Sequence, residues 1–250
     1  MDWKDKFPKE SVYFETSKGI LYCGDCLEVI KGFPKGVVDL ILTDPPYQIS
    51  KNHNFDTMPD RKNKRTGTYF GEWDTFNIDD WGKIIPVLSD NGSIISFMSH
   101  QQYKDFVDVM SKADVVIKDR LIWEKTNPFP RNRDRRYIPN IELFVWGVKK
   151  GGKWIFNRQS EKYETCVFRF PSESGARFKR YHPTQKPLKL LKYLLCIHTN
   201  PDDLVLDCFS GSGSALVACE QLNRKWIGIE INKEYCEIAK QRILKEIGGI

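Results

Sequence analysis

Two short stretches of this 250-residue chain carry residue types that could do chemistry together. The first is Asp44-Pro45-Pro46-Tyr47, directly after the apolar run Val37–Thr43. Neither proline has an N–H and each has a fixed φ, so the segment is stiff and presents carbonyl acceptors. Asp44 adds a carboxylate and Tyr47 a flat face. An exocyclic amine on a nucleobase is a poor nucleophile, because its lone pair is delocalised into the ring. The Asp44 carboxylate and the Pro45 carbonyl can hold its two N–H groups and favour a pyramidal nitrogen, while Tyr47 stacks on the ring. Direct in-line transfer to that nitrogen would then be catalysed by positioning and electrostatics. A base within a duplex reaches such a site only by flipping out. A Pro-Pro alone would be no more than a strand stop.

The second stretch is Leu204–Asp207, the loop Phe209–Gly213, the apolar run Ser214–Leu222 and then Trp226–Glu230. Strand, Gly-x-Gly loop, helix, strand and acid make the mononucleotide half of a doubly wound sheet. Glu230 lies 23 residues after Asp207, where an acid accepts hydrogen bonds from a ribose diol. Leu216 replaces the third glycine of the dinucleotide fingerprint, and Asp207 would repel a pyrophosphate. An adenosine cofactor that also carries positive charge suits Asp207 and Glu230 together, and S-adenosylmethionine has both an ammonium and a sulfonium. The absence of a Gly-Lys-Ser/Thr loop disfavours ATP.

The elements that must position these groups alternate. Strands are expected at Ile20–Cys23, Val37–Thr43, Ser93–Phe97, Leu121–Glu124, Glu142–Gly147, Leu204–Asp207 and Trp226–Glu230. Helices are expected at Cys26–Lys31, Asp80–Leu88, Gln101–Met110, Pro187–His198 and Ser214–Leu222, with a last one capped by Asn232 and facing Tyr235, Ile238, Ala239 and Ile243 inward. The alternation predicts an α/β protein with a mostly parallel, doubly wound sheet. Gln48–Gly71, Asn127–Asn140 and Arg169–Thr184 are polar and irregular, and serve as candidate binding loops.

Positive charge gathers near these loops. Lys51–Arg65, Lys118–Arg136 and Lys149–Lys186 carry +3, +4 and +7, against a formal +6 for the whole chain, so the remainder is at −8. Phe55, Tyr69, Phe70, Trp73, Phe129, Tyr137, Phe168, Phe170 and Tyr181 are interleaved with them. Cations for phosphates and rings for bases predict a nucleic-acid surface. The candidate DNA-contacting residues are Lys51, Arg61, Arg65, Arg131, Arg133, Arg135, Arg136, Arg177, Lys179 and Arg180. With 40% hydrophobic and 29% charged residues the chain has the composition of a globular protein. No apolar run nears the roughly 18 residues of a membrane span, and no signal peptide is visible. The seven cysteines are expected to be thiols in a cytoplasmic protein.

In this order the motifs resemble those of the β-class, circularly permuted DNA amino-methyltransferases, which act on adenine N6 or cytosine N4. Asp44-Pro45-Pro46-Tyr47 matches the catalytic motif, Asp207–Gly213 the S-adenosylmethionine loop, and Ile227-Gly228-Ile229-Glu230 the ribose strand. His182–Pro187 matches the segment that closes over the methionine end of the cofactor, and Tyr22–Cys26 the strand end where Asp25 faces its adenine. Trp123-Glu124-Lys125 and Glu142-Leu143-Phe144 match weaker segments, so the resemblance spans roughly Gly19 to Ile243. It implies catalytic roles for Asp44, Pro45, Pro46 and Tyr47. It implies cofactor contacts for Asp25, Cys26, Asp44, Thr184, Lys186, Asp207, Phe209, Ser210, Gly211, Gly213, Glu230 and Ile231. It also implies one domain with a seven-stranded Rossmann-like sheet, one strand of it antiparallel. A catalytic half would cover about 19–128, a small target-recognition region about 129–181 and a cofactor half about 182–247. Double-stranded DNA is the implied substrate, and a homodimer and a cognate restriction endonuclease are implied partners.

Asp44 favours adenine, since members acting on cytosine more often carry Ser there. Cytosine C5 transfer would need a Pro-Cys nucleophile, which does not occur. An RNA or protein-amide methyltransferase fits Asp44 and the basic loops less well. A non-catalytic DNA-binding module would not need the intact loop. Cys23-Gly24-Asp25-Cys26 has the spacing of a redox pair or half a zinc site, but no second pair stands at zinc spacing and no metal is expected.

Overall fold

The computed structural model describes residues 2–46, 76–128, 137–173, 181 and 185–248. The described strands are β1 (Val12–Glu15), β2 (Gly19–Cys23), β3 (Val38–Thr43), β4 (Leu88–Met98), β5 (Val115–Lys125), β6 (Ile141–Lys149), β7 (Val167–Phe170), β8 (Leu204–Asp207) and β9 (Lys225–Glu230). They form one sheet in the order β1-β2-β9-β8-β3-β4-β6-β5-β7. The seven expected strands occupy its middle, and β6 runs antiparallel to both its neighbours. Two edge strands extend them, β1 antiparallel to β2 and β7 parallel to β5. The sheet therefore has nine described strands rather than seven, and is mostly parallel.

β3 reads Val-Asp-Leu-Ile-Leu-Thr because it lies between parallel β8 and β4 with both faces covered. Side chains alternate across it. Ile41 joins a core built with Ile84, Phe106 and Met110, whereas Leu40 and Leu42 join another built with Leu194, Ala218 and Ala239. Helices α1 (Cys26–Val29), α2 (Trp81–Ile84) and α3 (Tyr103–Lys112) contribute to the first core. Helices α4 (Leu188–His198), α5 (Ser214–Gln221) and α6 (Lys233–Gly248) contribute to the second. The result is three layers around two apolar seams.

Four expectations are corrected. The helix expected at Asp80–Leu88 is a single turn, α2, between 3₁₀ turns at Ile78–Asp80 and Ile85–Val87, because Pro86 cannot continue a ladder and Leu88 already opens β4. In α6, Ala239 and Ile243 are buried as expected, but Cys236 joins them in place of Tyr235, which turns toward a cavity. Arg169 and Phe170 belong to β7 rather than to a loop. Phe168 is a core ring, 5.4 Å from Phe144, and not a surface aromatic. The segment 129–181 thus supplies β6 and β7 to the sheet. Among the described residues no helix is long and apolar enough to cross a membrane.

Candidate active site

The two halves of the sheet diverge from the adjacent strands β3 and β8. A crevice outside the carboxyl ends of strands, at such a switch point, is where open α/β sheets bind ligands. A cavity of about 270 Å³ opens there. Asp44, Pro45 and Pro46 reach it from the end of β3, Asp207 from the end of β8, and Glu230 from the end of β9. Asp25, Cys26, Lys186, Phe209, Ser210, Gly211 and Ile231 also line it.

The loop after β8 is held by its backbone. Ser210 N donates to the Ile229 carbonyl at 2.9 Å and its hydroxyl to the same oxygen at 3.0 Å. Gly213 does not line the cavity; it caps α5 at φ +76°, a conformation glycine adopts without strain. Gly228, behind the loop, leaves room for Leu216, whose Cδ1 would lie 2.5 Å from an added Cβ.

Glu230 is buried, and its two oxygens accept from Gly211 N and Asn232 N, each at 2.8 Å. Burial raises its pKa, and the backbone donors oppose that. Asp207 is more strongly affected. Burial pushes its carboxyl up to about 7, against donation by Thr43 Oγ1 at 2.7 Å and Phe209 N at 3.1 Å; the Asp44 and Glu230 charges add to the rise. Two buried acids with elevated pKa at one cavity fit a cationic ligand, which would supply the missing countercharge.

Asp25 caps α1 by accepting from Leu27 N at 2.8 Å. Burial pushes the Cys26 thiol up to about 12, which makes it a poor redox nucleophile. Lys186 is buried; its ammonium pairs with the Asp44 carboxylate and lies 3.3 Å from Glu142 Oε2.

Tyr47, Thr184 and all ten candidate DNA-contacting residues, Lys51, Arg61, Arg65, Arg131, Arg133, Arg135, Arg136, Arg177, Lys179 and Arg180, lie outside the described residues. Sequence reasoning missed Thr43, Phe76 and Tyr235 at the cavity, and Glu142 beside it. Thr43 was signalled by a polar side chain ending an apolar strand, and Glu142 by a charge at the head of one. Phe76, whose ring meets Phe209 edge-on at 4.9 Å, had no sequence signal.

This fold and site define an α/β transferase with a cationic adenosine cofactor. A family model described as DNA methylase, N6_N4_Mtase, matches residues 38–241, and the chain belongs to that family. It is 31% identical over 249 residues to the type II methyltransferase M2.MboI of Moraxella bovis, covering 92% of this chain and 90% of that one. It is 32% identical to the type II methyltransferase M.HinfI of Haemophilus influenzae, over 90% of this chain and 67% of that protein. The crystal structure of the M1.HpyAVI–SAM complex superposes with a TM-score of 0.72 at 37% identity, over 90% of this chain and 98% of that one. The cytosine-N4-specific PvuII DNA methyltransferase shares the fold, with a TM-score of 0.73 at 20% identity. The protein is a DNA methyltransferase, and S-adenosylmethionine is its cofactor.

Proposed function

We propose that the enzyme methylates the N6 amino group of a flipped-out adenine in a short double-stranded DNA site. The observation that carries this reading is Asp44, with Pro45 beside it, lining the same cavity as Asp207 and Glu230. When bound, S-adenosylmethionine supplies an electrophilic methyl group on a sulfonium. Asp207 and Glu230 bind its cationic and ribose ends, and the loop Phe209–Gly213 lies against it. Asp44 and the Pro45 carbonyl accept the two N–H groups of the target amine, and Tyr47 stacks on the base. Transfer would break the sulfonium–methyl bond as the N–C bond forms, with the neutral thioether as leaving group, and the proton shed by the amine would pass to Asp44.

The basic positions in 51–65, 131–136 and 177–180 contact the duplex. The target-recognition role belongs to the segment 129–181, outside its two strands. Relatives named type II methyltransferases support a cognate restriction endonuclease as partner. The short span left outside the sheet supports a second copy of the chain sharing the duplex. The enzyme works in the cytoplasm, where the DNA is.

Incubation with methyl-labelled S-adenosylmethionine and mixed-sequence duplex DNA, followed by nucleoside chromatography, tests this. The label is expected in N6-methyladenine. Label only in N4-methylcytosine overturns the choice of base, and label absent from DNA overturns the reading.

A further inference from the structure

A partly buried chain of ion pairs runs outward from the cavity wall. Lys186, just before α4, pairs with Asp44 after β3. The same ammonium lies 3.3 Å from Glu142 Oε2 in β6, and Glu142 Oε1 lies 2.7 Å from Lys125 Nζ in β5. Four segments far apart in sequence thus alternate in charge along one line, Asp44–Lys186–Glu142–Lys125. Their side chains are 21%, 7%, 27% and 21% exposed, so Lys186 is the most deeply buried. The Phe97 ring lies 4.8 Å from its ammonium and closes another side.

We propose that Glu142 is a positioning residue for methyl transfer, anchoring the Lys186 ammonium that in turn sets the Asp44 carboxylate. The proposal rests on the reading of Asp44 as acceptor of the target amine. An ammonium this deeply buried must be paired, and a single carboxylate partner would leave it free to swing with that partner. Two carboxylates on different elements fix it. Lys186 engages the Asp44 carboxylate through Oδ2. Glu142 Oε2 has no hydrogen-bond partner among the described residues, so the nearby lysine charge is what balances it.

The ionisation of the chain agrees with this geometry. Burial pushes the Glu142 carboxyl up, but the Lys186 and Lys125 charges together outweigh it and hold the group low. Burial pushes the Lys186 ammonium down, but Asp44 and Glu142 together hold it high. Glu142 and Lys186 are therefore both charged near neutral pH. A pair kept only for stability could be replaced by apolar groups at little cost. A displacement of about 1 Å at a reacting group costs on the order of a hundredfold in rate, so a positioning role does explain the chain.

The test uses the full-length enzyme with S-adenosylmethionine and substrate duplex. Glu142→Gln is expected to lower kcat between about tenfold and a hundredfold. The melting temperature should fall, because one partner of a buried pair is lost, while the cofactor Kd and the DNA KM should stay near wild type, a split that a merely structural role would not give. Glu142→Asp, which keeps the charge, should retain more kcat than Glu142→Gln. Wild-type kcat in Glu142→Gln overturns the proposal, as does a parallel loss of cofactor binding. Should Glu142→Gln fail to fold, Lys125→Gln at the outer end carries the test: a lower kcat with unchanged cofactor Kd is expected, and a wild-type kcat overturns it. Asp44→Asn separates the two readings. If it is inactive while Glu142→Gln is fully active, only the positioning role fails; if it is active, the role given to Asp44 fails and this one falls with it.

Discussion

Thr43, the last residue of β3, donates its hydroxyl to Asp207, the last residue of β8, at 2.7 Å. The bond spans the two strands from which the halves of the sheet diverge, and both residues are buried. It ties the strand that presents Asp44 to the strand that presents the cofactor acid. Thr43→Val keeps the shape and removes the donor. A buried hydrogen bond to a charged group is worth roughly 1.5–3 kcal/mol, with the upper part of that range reached where the acceptor is left unsatisfied. Cofactor affinity at neutral pH is therefore expected to fall on the order of tenfold or more. Isothermal titration measures it, and an unchanged Kd would show that Asp207 does not depend on Thr43.

The elevated Asp207 pKa has opposite consequences for folding and for binding. Its carboxyl titrates near 7 in the folded protein and near 3.8 as an ordinary aspartate. Between these values the folded state holds a proton that the unfolded chain has released. Its contribution to stability is therefore largest at low pH and falls as pH rises from about 4 to about 7. Glu230, raised by burial, acts in the same direction. A cationic cofactor selects the carboxylate form, so affinity should climb between pH 6 and 8 and then level off. Proton release on binding at pH 7 is the direct check. An affinity flat from pH 6 to 8 would mean that Asp207 does not meet the positive end of the cofactor.

Gly213 joins the cofactor loop to α5 at φ +76°, and an added Cβ would lie 2.8 Å from the Ala239 Cβ in α6. Gly213→Ala therefore meets both backbone strain and a crowded helix contact. Left-handed strain and overpacking each cost on the order of 1–3 kcal/mol. A lower melting temperature and a weaker cofactor Kd are expected together, since the loop and the α5–α6 contact move as one. A variant with wild-type melting and binding would show that the loop relaxes independently of α6.

Periodicity and motif spacing made the centre of this molecule legible. β2, β3, β8 and β9 are short apolar runs bounded by polar residues, and their ends carry Asp44, Asp207 and Glu230 into one cavity. The edges were harder. β1 and β7 are four-residue strands with weak alternation, and β7 pairs with β5 across a long separation that no local pattern encodes. Pro86 marked the end of α2, but the apolar run around it imitates a longer helix. On α6, Ala239 and Ile243 are buried as expected, but Tyr235 is amphipathic and serves the cavity, while Cys236 packs inward like a small hydrophobe. The charge of Glu142 at the head of β6 was visible in the sequence, but its pairing with Lys125 and Lys186 was not, since they come from other elements.

The charge distribution makes a last prediction about DNA. Arg133, Arg135 and Arg136 stand within a run at +4 in a chain whose remainder outside the three basic stretches is at −8. Lys125, in the same run, is neutralised by Glu142, so the arginines carry the contacts proposed for this stretch. If each engages one phosphate, replacing all three with glutamine removes about three released counterions. The slope of log affinity against log salt should then flatten by up to about 2.7. The cofactor Kd should not move, because the cavity at the ends of β3, β8 and β9 is built from other residues. Fluorescence anisotropy on a duplex over a salt series gives the slope. An unchanged slope and affinity would place the phosphate contacts on 51–65 and 177–180 instead, and the same measurement on Arg61, Arg65, Arg177, Lys179 and Arg180 would then apportion them.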